Sequence, residues 1–119
     1  MDNRDKTLLE KILSEGVLIA DLVKGLNCDS FVNDEKTKRA VCMTLINIGE
    51  MVKLVSDVTK RENPIIPWRS IAGLRDVTAH GYMTLHMEDI WETASVDVPV
   101  MQKQILEILK SHCDESSEK

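Results

Sequence analysis

Aromatic side chains are scarce in this 119-residue chain: two Trp, one Tyr and one Phe, 3% in all. A sheet sandwich leans on aromatic and β-branched positions. The scarcity leaves the core to Leu, Ile, Val and Met, which suits helix packing better. Cysteine is limited to Cys28, Cys42 and Cys113. The number is odd, no CxxC occurs, and no His stands at ligand spacing from any of them. This excludes a disulfide framework or a zinc site and points to reduced thiols in a cytosol. Long apolar runs are also missing, and the start, Met1-Asp2-Asn3-Arg4-Asp5, is charged. We therefore expect a cytoplasmic protein with no signal peptide, no membrane span and no membrane partner. Positive charge is in deficit, 15 Lys and Arg against 20 Asp and Glu, a formal net charge of −5. Such a chain is no general nucleic-acid binder, although a local basic patch stays open. No Gly-rich phosphate loop occurs, so nothing supports ATP binding, and no cofactor or metal is expected.

What is present is helical periodicity. Hydrophobic residues make up 43% and charged residues 29%, an ordinary globular balance, and the length fits one domain with a modest core. We expect a single helical domain over residues 1–113 and an acidic, frayed tail over 114–119. In "DKTLLEKILSEGVLIADLVKGL", Leu8, Leu9, Ile12, Leu13, Ile19, Leu22, Val23 and Leu26 recur at steps of three and four, with one break near Gly16. Gly25-Leu26-Asn27 stops this helix. The segment from Cys28 to Lys60 reads as a second, longer helix with Asp29 or Ser30 as its cap and an apolar stripe from Ala40 to Val55. Gly49 sits inside it, where a small residue permits close helix approach. Pro64 and Pro67 in "RENPIIP" break the pattern. Pro67 then opens a third helix, "PWRSIAGLRDVTAH", with Gly81 as its left-handed C-terminal residue. The remainder holds a short helix and a longer one, the latter capped by Asp97 with Pro99 in its first turn and Val100, Ile105, Leu106, Ile108 and Leu109 on its apolar face. Strand alternation, internal repeats and low-complexity tracts are absent. The fold class is all-α, an antiparallel bundle of four to five helices. The apolar stripes exceed what so few helices need to cover one another, which predicts a homodimer.

The segment "LRDVTAHGYM" concentrates the chemistry. It carries Arg75, Asp76, His80 and Tyr82, in a chain with three His and one Tyr. On an ideal helix Arg75 and His80 are separated by about 140° around the axis, whereas Asp76 and His80 share a face. A break at Gly81 would splay His80 and Tyr82 away, and the long Arg75 side chain could reach the same space. RNA brings its own nucleophile, the 2′-hydroxyl. A cleaving protein then needs a group that moves protons near neutral pH, for which His is suited. It also needs a cation on the phosphate oxygens, for which the guanidinium is suited. That route requires no metal. On spacing alone the ordinary reading is preferred: a helix-terminal His favoured by the macrodipole, with Arg75 paired to Glu50 or Asp76.

Other positions read mainly as structure. His86 with Glu88 and Asp89 reads as an acidic first helical turn. Trp68 and Trp91 read as packing anchors, Cys42 as core, and Lys36, Lys38 and Arg39 as a solvated face. Glu50, in "NIGEMVK", is either on the solvent side of the second helix or a buried partner for Arg75.

The flanks of the motif carry a resemblance. "RAVCMTLINIGEMVK", "IPWRSIAGLRDVTAHGY" and "IWETASVDVPVMQKQILEIL", in that order and with Phe31 opening the approach to the first of them, resemble the HepT-like branch of the HEPN superfamily over roughly residues 5–110. The resemblance implies a homodimeric helical bundle and a metal-independent endoribonuclease, the toxin of a prokaryotic toxin–antitoxin pair. It implies Arg75 and His80 as the catalytic pair, with Asp76 at a position that is most often Asn in the family. It implies Tyr82 as the residue to which a minimal nucleotidyltransferase antitoxin transfers AMP. Two motif copies would meet at one cleft on the two-fold axis. Glu50 and Asp76 are supporting polar residues in this reading. The alternative is a non-catalytic helical binding module that partners a small nucleotidyltransferase.

Overall fold

The computed structural model describes residues 1–74 and 85–117, with side chains through His112. Among these residues there are seven α-helices and no strand. Three are long: α1 (Asn3–Val23), α3 (Glu35–Leu54) and α7 (Val98–Ser117). Four are short: α2 (Cys28–Val32), α4 (Asp57–Glu62), α5 (Trp68–Ala72) and α6 (Met87–Glu92). The all-helical bundle expected from the sequence is therefore found, with more and shorter helices around a three-helix frame.

Helix α1 packs against both α3 and α7. Its pairing with α3 is antiparallel, since Asp5 at one end bonds Ser56 beyond the end of α3, while Glu15 accepts from Asn47 Nδ2 at 3.3 Å. The periodic apolar residues form the core: Leu9, Ile12 and Ile19 of α1 meet Val41, Leu45, Ile48 and Val52 of α3, all without solvent exposure. The break in the α1 stripe at Gly16 has a packing cause. A Cβ there would lie 2.5 Å from Gln102 Cδ of α7, and Gln102 Nε2 donates to the Leu13 carbonyl at 3.4 Å. Gly25, with φ of +79°, adopts the left-handed backbone expected of a helix stop.

The long second helix predicted from Cys28 to Lys60 is instead three helices. Asn27, rather than Asp29 or Ser30, caps α2: its side chain accepts from Ser30 N while Ser30 Oγ accepts from Asn27 N, both at 2.9 Å. Asp34 then leaves the helical region and caps α3, its carboxylate accepting from Thr37 N at 3.0 Å and from Thr37 Oγ1 at 2.8 Å. Those donors hold its pKa below the ordinary value. Val55, with ψ of 137°, ends α3, and Ser56 caps α4. Local capping side chains thus cut a stretch whose apolar period alone reads as continuous.

The last region is corrected in the opposite sense. Asp97 is not a cap. Helix α6, a π-helical turn over Thr93–Asp97 and α7 run on unbroken, with Thr93 and Val98 both helical in φ and ψ. Pro99 explains the π turn. It lacks an N–H, and in a regular helix its ring would clash with the Ser95 carbonyl; a widened turn accommodates both. The buried face of α7 is Val98, Met101, Ile105 and Leu109. Val100 and Leu106, assigned to that face from the sequence, are 54% and 45% exposed. Helix α7 continues through Ser117. No helix among the described residues is long and apolar enough to cross a membrane.

Candidate active site

The segment that carries the candidate motif is held at both flanks. Upstream, Ile66 is buried, Pro67 caps α5, and Trp68 Nε1 donates to the Asn63 carbonyl at 3.0 Å. Ile71 joins the core, and Leu74 packs against it. Downstream, Leu85 packs on the same core, and α6 is pinned by Ile90 and by Trp91, whose ring lies 5.4 Å from that of the buried Phe31, tilted by 43°. Arg75, Asp76, His80, Gly81 and Tyr82 lie outside the described residues. Their flanks make the geometric point: two short helices, each anchored by an aromatic and an isoleucine, bound the ten residues between Leu74 and Leu85.

Of the supporting residues, Glu50 is exposed on α3, the solvent alternative of the two left open by the sequence. His86 is exposed ahead of α6 and makes no side-chain cap bond, and Glu88 and Asp89 occupy the first turn, as a stabilising acidic start requires. Trp68 and Trp91 are packing anchors. Cys42 is buried among core residues, and burial pushes its thiol above the ordinary pKa, which keeps it protonated and unreactive. Of the basic segment, Lys36 and Arg39 are exposed but the Lys38 side chain is only 13% exposed; Lys38 Nζ and Arg39 Nε each lie 3.1 Å from a Glu35 carboxylate oxygen.

Two features have no counterpart in the sequence reading. One is a buried carboxylate. Asp5, 2% exposed, accepts from Ser56 N at 3.0 Å and from the hydroxyls of Ser56 and Thr59. Burial would raise its pKa, and the bonds from Ser56 and Thr59 outweigh that and hold it below the usual carboxylate value. Fifty-one residues separate Asp5 from Ser56, and no local spacing reveals such a pair. The other is a cavity of about 550 Å³ between α5 and the π turn with α7. Its walls include Ile71, Leu74, Val98 and Met101, with Asp97 and Gln104 as polar members. Leu74 is both a wall of this cavity and the residue before Arg75.

With this frame in place, the comparison with known proteins is decisive. The family described as Ribonuclease HepT-like matches residues 12–108, which takes in the second half of α1, all of α3, the motif segment and the first half of α7. The chain belongs to the HepT-like ribonuclease family. A candidate RNase of Caldanaerobacter subterraneus subsp. tengcongensis is 37% identical over 102 residues, covering 86% of this chain and 91% of that protein. A candidate RNase of Methanocaldococcus jannaschii is 34% identical, with 92% and 96% covered. A protein of Thermococcus cleftensis, named as a candidate ribonuclease HepT, is 32% identical over 110 residues, with 92% of this chain and all of that protein covered. No solved structure matches. For a HepT-like chain, the resemblance read from the ordered flanks of "LRDVTAHGYM" is thus the family relationship itself.

Proposed function

We propose that this HepT-like chain is a metal-independent endoribonuclease, the toxin of a prokaryotic toxin–antitoxin module. The observation that carries the reading is the family match over residues 12–108, which encloses Arg75-x4-His80-x-Tyr82 in its flanking context. In this reading His80 moves the proton and Arg75 holds the scissile phosphate. The proton leaves the ribose 2′-hydroxyl, the O2′–P bond forms, the P–O5′ bond breaks, and O5′ receives a proton. The guanidinium stabilises the charge that gathers on the non-bridging oxygens. Asp76 is a supporting polar residue that orients His80. Glu50, exposed on α3, is a supporting polar group. A homodimer brings two copies of the short motif to one cleft. Tyr82 is the residue that a cognate minimal nucleotidyltransferase modifies with AMP, which silences the toxin. The ends of the product test the chemistry. Total cellular RNA cut by the purified chain in the presence of a chelator should carry 2′,3′-cyclic phosphate ends; cleavage leaving 3′-hydroxyl ends would contradict this route.

One observation favours a second reading, a non-catalytic module that docks the nucleotidyltransferase. The net charge is −5, and Lys38 and Arg39 of the basic segment are engaged by Glu35. It predicts capture of that partner with RNA left intact under all conditions.

A further inference from the structure

The cavity between α5 and the π turn has the makings of a ligand site. Its volume, about 550 Å³, falls in the range of small-molecule pockets. Its apolar walls, Ile71, Leu74, Val98 and Met101, suit a flat ring taken out of a stack. The polar members are Ser70, Thr93, Asp97 and Gln104. Asp97 offers a carboxylate at the exposed end of the π turn. Gln104 Oε1 accepts no hydrogen bond from the described residues, which leaves it available as an acceptor. Thr93 Oγ1 already donates to the Asp89 carbonyl, so it too can only accept. The described lining residues include no Lys, Arg or His, and their acceptor oxygens suit a neutral ring with a donor-bearing edge.

We infer that this cavity holds one nucleobase of the RNA substrate, and that the base is guanine. Guanine alone among the four bases presents two adjacent donors, N1–H and the 2-amino group, which a carboxylate accepts together. Adenine, cytosine and uracil each place a lone pair next to the donor, which Asp97 would repel. Leu74 of the cavity wall is the residue before Arg75, so the cavity adjoins the proposed catalytic segment in the chain. This inference rests on the ribonuclease reading for its meaning but not for its test.

The four nucleoside 5′-monophosphates are titrated separately into the full, methyl-labelled chain and followed by NMR. GMP should shift the methyl signals of Ile71, Val98 and Met101, and bind roughly tenfold or more tightly than UMP. Asp97→Asn should remove that preference; Asp97 is exposed, so this variant keeps its fold. Equal binding of the four nucleotides, shifts confined to other methyls, or an unchanged GMP affinity in Asp97→Asn would each overturn the site. Val100→Arg at the cavity mouth gives a further check. If it converts a dimer into a monomer, the cavity is covered by a second copy and the base site is wrong. No readout here requires cleavage. GMP binding with RNA left intact would retire the nuclease reading and keep the pocket, while cleavage without GMP binding would do the reverse.

Discussion

Asp5 shows how a single residue fixes the frame around the site. Its carboxylate ties the first turn of α1 to the capping residue of α4, and α4 leads through Pro64 and Pro67 to α5 and the motif. A hydrogen bond to a charged group contributes roughly 1.5–3 kcal/mol, and Asp5→Ala strands three donors. Chemical denaturation at pH 7 should show Asp5→Ala less stable by at least about 2 kcal/mol. The pH dependence follows from the direction of the shift. The folded pKa lies below the ordinary 3.8, so the stabilisation is present above that value and is lost as pH falls through the folded pKa. The gap between wild type and variant should therefore be constant from neutral pH down to about 5 and close in stronger acid. A gap that widened on acidification would mean that Asp5 is not the charged partner described here.

At the scale of the elements, α2 and α6 are too short to persist alone, and they hold each other through Phe31 and Trp91. Phe31 is fully buried, so Phe31→Ala should cost roughly 3–5 kcal/mol by denaturant midpoint at unchanged slope. A loss under about 1 kcal/mol would show that the ring pair anchors nothing. These short helices also mark where the sequence was readable and where it was not. The stripes of α1 and α3 follow from period alone, because both helices bury one face against a partner. The breaks at Asn33-Asp34 and Val55-Ser56 do not, because they depend on capping bonds that compete with an otherwise continuous period. The π turn was missed for a related reason: an Asp two residues before a Pro carries the same signal whether the helix starts there or passes through with a widened turn. The family was legible from the order of the flanking segments. The cavity was not, since its walls come from residues 65–74 and 93–104, brought together only by folding.

The whole molecule leaves a good deal of apolar surface uncovered. Val17, Leu18, Met43, Leu54, Val58, Ile65, Val96, Val100 and Leu106 are all between 45% and 74% exposed. A dimer is what the proposed paired motif requires. Light scattering at micromolar concentration should return about twice the chain mass of 13.5 kDa; a value at the single-chain mass would contradict the paired cleft. The proposed proton transfer through His80 is open to direct test. The direct measurement compares wild type and His80→Ala, at equal concentration and matched stability, on total cellular RNA. Wild type should cleave the RNA, and the variant should lose at least about a hundredfold of that activity. Equal cleavage by the two proteins would contradict that role of His80.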